Sequence, residues 1–256
     1  MERGKIAFAR LCHEELSREK TRNGIGLYAE KRLHSVLKRW VCDDFSAHEQ
    51  KVRGRGEKSS RFVADVLTPA GEIFEIQTGK LYPLLKKIGF YMNETDHAVT
   101  LVHPLAAVKY VSWLDPETGE LVKRSKSPRP DTVLKGISEL RHFLPHLEHP
   151  RFSVLFPLIE MEEFRLLDGW SRNRKRGSHR YELLPLSLLD VCEITSGADI
   201  LSYFPATLPD EFVSKDFKKA TRLGGYALYD ALAMFETLGA IERCGKRGNA
   251  YVYRKK

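Results

Sequence analysis

"RFVADVLTPAGEIFEIQTGK" (residues 61–80) is two alternating segments around a turn. "RFVADVLT" (61–68) and "EIFEIQT" (72–78) interleave apolar and polar residues with the period of a strand, and "PAG" (69–71) is a turn signal. Ile73, Glu75 and Gln77 share one strand face, Phe74 and Ile76 the other. A three-residue loop sets Asp65 opposite Glu75; a loop one residue longer loses that pair. Opposed Cβ atoms lie about 4.5–5.5 Å apart, where like charges destabilise the sheet. Two carboxylates so placed need a cation. Mg²⁺ (or Mn²⁺) suits them, because it takes oxygen ligands and leaves positions for water and phosphate. Gln77 can orient a water or touch a phosphate, and Lys80, at the strand-to-helix junction, can reach back toward a phosphate oxygen.

The flanking segments extend this pattern. "GLYAEKRLHSVLKRWV" (26–41) predicts an amphipathic helix, with Glu30 at the edge of its apolar stripe. A carboxylate leaning toward a core asks for a partner, and the same cation would serve. "HEQKV" (48–52) reads as a short strand and "RGRGEKSS" (53–60) as a basic loop. "LYPLLKKIGFYM" (81–92) reads as a helix and "AVTLVHPL" (98–105) as a buried strand. Further on, a hairpin turns at Asp115–Gly119 and a helix covers 130–144. Extended segments at 152–167 and 180–194 flank the basic loop "WSRNRKRGSHR" (170–180). Arg172, Arg174, Lys175 and Arg176 in that loop are candidate phosphate contacts, or a solvated basic loop.

The order of helix glutamate, strand aspartate, strand E-x-Q, helix and buried strand resembles the PD-(D/E)xK, or restriction-endonuclease-like, nuclease superfamily in its E-x-Q variant. Glu30, Asp65 and Glu75-Ile76-Gln77 carry the resemblance, which spans about residues 20–105. Glutamine stands where lysine is commoner, and Ala64 where proline usually precedes the aspartate. The resemblance implies Mg²⁺-dependent phosphodiester hydrolysis. Asp65 and Glu75 would hold the metal with help from Glu30, while Gln77 and Lys80 position the attacking water. An inert nuclease-like domain in a DNA-binding regulator, and an RNase on the same scaffold, are the alternatives.

A linker at "EITSGAD" (193–199) opens the last unit. "ADILSYFP" (198–205), "FVSKDFKKATRL" (212–223) and "GYALYDALAMFETLGA" (225–240) read as helices, and 241–256 as a basic hairpin turning at Gly245–Asn249. This pattern resembles a winged helix-turn-helix domain, whose third helix enters the major groove while the wing touches the backbone. Lys215, Lys218, Lys219 and Arg222 before the third helix, and Lys246 and Arg247 on the wing, are candidate phosphate contacts. The third helix offers Tyr226, Tyr229, Asp230 and Glu236 instead of bases, so the domain binds backbone without reading sequence, or binds protein.

Over the 256 residues the net charge is +8, which favours a polyanionic partner. No run reaches the roughly 18 apolar residues of a membrane span, and the N-terminus does not read as a signal peptide. Four scattered cysteines, none in a C-x-x-C pair, fit a reduced cytoplasmic protein. His142, His146 and His149 read as a polar helix end. The expected fold is α/β, a restriction-endonuclease-like mixed sheet flanked by helices plus a C-terminal winged-helix domain. Its expected divisions are a nuclease domain (1–145), a β-rich connecting region (146–195) and a nucleic-acid-binding unit (196–256). DNA is the expected partner, RNA the alternative; pairing of two copies fits a cut in two strands.

Overall fold

The hairpin forms as its sequence predicts. Thr68 N–H donates to the Glu72 carbonyl and Gly71 N–H to the Thr68 carbonyl, each at 2.9 Å. Gly71 closes the loop at φ +84, where a side chain would be strained. Val66 then pairs with Phe74 and Leu67 with Ile73, the register that sets Asp65 opposite Glu75.

The computed structural model describes residues 2–17, 29–56, 61–169 and 177–256, with no side chains at 2, 3 and 29–31. Its elements are α1 (Glu2–Ser17), α2 (Ala29–Val41), β1 (His48–Val52), β2 (Phe62–Leu67), β3 (Glu72–Ile76), α3 (Leu85–Glu94), β4 (Ala98–Val102), β5 (Leu105–Leu114), β6 (Leu121–Lys126), α4 (Val133–Glu139), α5 (Leu144–Leu147), β7 (Phe152–Leu166) and β8 (His179–Ile194). They are followed by α6 (Gly197–Leu201), β9 (Glu211–Val213), α7 (Ser214–Thr221), α8 (Tyr226–Thr237), β10 (Ile241–Arg247) and β11 (Ala250–Lys255).

The main sheet is mixed. The β1–β2–β3 meander is antiparallel, and β3 then pairs in parallel with β4. β4 and β5 lie end to end along one edge of β7, both parallel to it, and β8 runs antiparallel along its other edge. Residues 152–166, expected in a connecting region, are therefore a central strand. β7 alternates buried and half-buried positions along most of its length because both of its faces are covered.

One face carries α1 and α2. Leu33, Val36 and Leu37 of α2 are fully buried and meet Val66, Ile76, Val102 and Ile159 of the sheet. The helical spacing of those three residues is what predicted α2; α1 had no such forecast, its Phe8, Leu11 and Cys12 being buried only through tertiary packing. The opposite face carries α3 and α4, with Ile88, Tyr91, Ile137 and Leu140 over Ile73, Leu101 and Phe156. The polar face expected on β3 is thus covered: Glu75 is 1% exposed.

The C-terminal unit continues that second core. Phe212, Phe217, Leu228, Leu232 and Phe235 join the same cluster as Ile137 and Leu140. Arg141, beyond α4, pairs with Asp230 of α8 at 2.9 Å. The expected linker is structured: Ser196 and Asp199 form a reciprocal capping box, one residue past Thr195. The first expected helix shortens to α6; the second, expected over 212–223, begins as strand β9 and is helical only as α7; α8 follows the sequence, and β10–β11–β9 form a small antiparallel sheet.

Gly136 lets α4 lie close to the sheet. A Cβ there would fall 2.8 Å from Phe156 Cε1 and 3.2 Å from Leu105 Cδ1, both on buried side chains. Overpacking costs typically about 1–3 kcal/mol, against a gain of about 1 kcal/mol in helix propensity. We expect Gly136→Ala to lower stability by about 1 kcal/mol, read as a reduced urea midpoint at unchanged m-value.

Candidate functional site

Asp65 sits where β2 leaves β3. The ladder between them stops at Val66–Phe74, and Asp65 Oδ2 accepts the Ile76 N–H at 2.8 Å in its place. On the other side, the β1–β2 register brings Glu49 to the position opposite Asp65. Glu49 has φ +51, a left-handed conformation rare for a residue with a side chain. The sheet is therefore distorted around Asp65 on both flanks.

Two helices reach into this gap from opposite faces. From α2, one turn apart, come His34 and Lys38. His34 Nε2 lies 3.4 Å from Asp65 Oδ2, and Lys38 pairs with Glu49. From α3, again one turn apart, come Lys87 and Tyr91. Lys87 Nζ donates to Glu75 Oε2 at 2.6 Å and the Tyr91 hydroxyl to Oε1 at 3.0 Å. Spacing of four puts each pair on one side of its helix. α2 is also fixed elsewhere: Ser35 donates to Glu15 of α1 at 2.9 Å, and Arg32 pairs with Glu182 of β8 at 3.1 Å.

The two carboxyls are driven apart in acidity. Burial raises Glu75, and the neighbouring Asp65 charge adds to this; Lys87 and Tyr91 offset only part, leaving it pushed up to about 7. Burial acts on Asp65 too, but the His34 contact, the Ile76 N–H and Lys87 outweigh it and hold Asp65 below its ordinary value. Near neutral pH the pair therefore carries between one and two negative charges. Lys38 is lowered by burial, with Lys87 adding to this, though Asp65 and Glu75 pull it back. Tyr91, buried against Glu75, is pushed well above the usual phenol range.

Of the residues singled out in the sequence, Asp65 and Glu75 come together. Gln77 and Lys80 do not join them. The Gln77 amide donates to the Lys80 carbonyl at 2.8 Å, and its own carbonyl meets His103 Nδ1 at 2.6 Å, so it holds the loop after β3. Lys80 is exposed, and the cation acting on Glu75 is Lys87. Glu30 lies in the first turn of α2, one turn before His34; its side chain is outside the described residues. Arg172, Arg174, Lys175 and Arg176 are also outside them. Lys215, Lys218, Lys219, Arg222, Lys246 and Arg247 are exposed on the C-terminal unit. His34, Lys38, Lys87 and Tyr91 went unread; their one signal is the spacing of four within two amphipathic helices.

Among the described residues, no three His, Cys, Asp or Glu side chains are grouped to hold a metal ion. The donor set that remains is a pair of opposed carboxylates. Asp65 Oδ1 accepts no hydrogen bond from the described residues, and Glu75 readily takes up a proton. Two hard oxygen donors are of the kind that holds Mg²⁺ or Mn²⁺, which need only one or two carboxylates.

Residues 31–195 match a family described as a domain of unknown function, DUF8091. The chain belongs to that family. No curated protein and no solved structure matches it. The DUF8091 region holds His34, Lys38, Asp65, Glu75, Lys87 and Tyr91 with the whole main sheet, and it ends one residue before the cap of α6.

Glu75 links stability to pH. Its folded value lies above the 4.5 of an ordinary glutamate, so the folded state binds the proton more tightly. Its contribution is full below about 4.5 and is lost as pH rises through about 7, roughly 3 kcal/mol in all. Asp65 has the opposite sign and acts only below 3.8, where stability falls as it is protonated. We expect Glu75→Gln to flatten the dependence between those values and to be the more stable protein above them, measured by denaturant titration at a series of pH values.

Proposed function

We propose that the chain is a metal-dependent nuclease that hydrolyses phosphodiester bonds in DNA. The observation that carries this is the pair Asp65 and Glu75, opposed where two strands part and held between basic side chains from two helices, His34 and Lys87. The helix–strand–strand–helix–strand order around it supports reading the sheet as restriction-endonuclease-like. In the C-terminal unit, the order α6, β9, α7, α8, β10, β11 supports a winged helix.

Asp65 and Glu75 would hold Mg²⁺ or Mn²⁺, which supplies a water of lowered pKa and neutralises charge on the phosphate. Lys87 and Tyr91 fix both oxygens of Glu75 and so orient it. Lys87 also supplies the positive charge that the sequence pattern had assigned near Gln77. His34 holds Asp65 from the other face, and Lys38 borders the same gap.

α8 is flanked by α4 and tied to it through Arg141, so the phosphate contacts fall to α7 and the wing. Lys218 and Lys219 are exposed on α7, Lys246 and Arg247 on the wing. Replacing Lys218 and Lys219 by Gln should reduce the slope of log affinity against log salt on duplex DNA by roughly 0.9 for each phosphate no longer neutralised. An unchanged slope removes α7 from the interface.

The Lys87–Glu75 pair and the turn of Gln77 toward the loop favour one second reading, an inert nuclease-like domain that binds DNA. Cleavage assays with Mg²⁺ or Mn²⁺ on plasmid, branched DNA and RNA separate the readings. We expect wild type to cut DNA, Asp65→Asn to fall to background, and Lys87→Met to lose on the order of 10–100-fold, as partners behind a metal ligand do. Lys80→Met should stay near wild type. Equal behaviour of wild type and Asp65→Asn on every substrate leaves the inert domain, and cutting of RNA alone leaves an RNase. Calorimetry gives a readout free of turnover: divalent-cation affinity should drop about tenfold per pH unit below the Glu75 value of about 7, with one proton released on binding.

A further inference from the structure

Beside the carboxylate pair, on the α2 face, lies an open cavity of about 340 Å³. This is within the roughly 300–1,000 Å³ of small-molecule sites. His34, Lys38, Arg39, Phe45, His48 and Glu49 are among the residues that line it. His34 thus touches both the cavity and Asp65.

The cations around it are already matched. Arg39 pairs with Glu14 at 2.7 Å and Asp43 at 2.8 Å, and Lys38 pairs with Glu49. Such a wall has little charge left for a phosphate. It offers instead an aromatic surface with polar edges. Phe45 is 60% exposed, although the Arg39 guanidinium lies over its ring at 5.5 Å from the centroid and the His48 ring is 5.4 Å away. A large apolar side chain held that far into water on a cavity wall is suited to a flat partner. Glu49, at its left-handed backbone position and paired through Oε1 with Lys38, adds a carboxylate to the lining, and carboxylates accept from the exocyclic amine of cytosine.

We propose that this cavity takes an unpaired nucleobase of the cleaved strand, stacked on Phe45, next to the phosphate held at Asp65 and Glu75. The inference rests on the nuclease reading for its substrate and gives that reading a preference. A base inside a duplex has no free face to stack, so the site selects single strands, frayed ends or unpaired nucleotides.

The test is binding by the Asp65→Asn protein, so that cleavage plays no part. Probes are a short single-stranded DNA, an RNA of the same sequence and the matching blunt duplex. The expected result is tighter binding of a single strand than of the duplex, weakened about 5- to 150-fold by Phe45→Ala, the span of base–aromatic stacking. Phe45→Trp should restore binding, and its added fluorescence should be quenched by the single strand. Phe45 is exposed, so loss of folding does not enter; unchanged circular dichroism confirms this. Equal affinity of Phe45→Ala and its parent, or a duplex bound as tightly as the single strand, overturns the proposal. The two readings fail separately. Stacking without cleavage by the Asp65-containing protein keeps the base site and removes the nuclease. Cleavage indifferent to Phe45 and to strand pairing does the reverse.

Discussion

Two carboxylates facing one another across a parting pair of strands set the terms for everything near them. Left to the ladder, Asp65 and Glu75 would repel at the distance of opposed Cβ atoms. The fold answers by ending the ladder at Val66–Phe74 and giving Asp65 a backbone N–H, that of Ile76. It then sends one helix to each carboxyl, α2 to Asp65 and α3 to Glu75. The pair could not survive on a bare two-stranded hairpin. It needs the three-layer arrangement, because the neutralising groups come from opposite faces of the sheet.

The local part of this plan is written in the sequence. Pro69, Ala70 and Gly71 fix the loop, the loop fixes the register, and the register pairs Asp65 with Glu75 with no knowledge of the rest of the chain. The apolar stripe of α2 is equally local. The long-range parts are not. That β7 pairs along one edge with the end-to-end strands β4 and β5 depends on pairings across fifty residues or more, which periodicity cannot report. α1 has no sharp apolar stripe and is recruited by packing against α2 and β8. Lys87 was hidden for the same reason: its helix was legible, but the turn that faces Glu75 depends on how α3 crosses the sheet. Proximity in sequence favoured Lys80, whereas helical geometry selected Lys87, four residues before the buried Tyr91.

The C-terminal unit shows the same division. Its helices and hairpin are readable from apolar spacing and a turn signal, but its attachment is not. A polar stretch with serine and glycine reads as a linker. Here it is the cap of a helix, with Ser196 and Asp199 satisfying each other's backbone N–H groups. Phe204, Phe212, Phe217 and Phe235 form an aromatic core that merges with Ile137 and Leu140 under α4. The unit is therefore held against the main sheet by buried apolar surface and by the Arg141–Asp230 pair, with α8 turned partly inward. Exposed basic side chains lie instead on α7 and on the β10–β11 hairpin.

The glutamine at position 77 makes sense in this frame. A lysine there would add a further cation beside Lys87 and Lys38. With the charge of Glu75 met from α3, the strand end is free for a neutral residue. Gln77 uses both of its polar faces on structure, the side chain to the Lys80 carbonyl and the main-chain carbonyl to His103. That pins the loop between β3 and α3, and so sets where α3 begins and where Lys87 and Tyr91 arrive. The residue that looked like a lost catalytic lysine is in this reading a positioning residue, acting through the helix that replaced it.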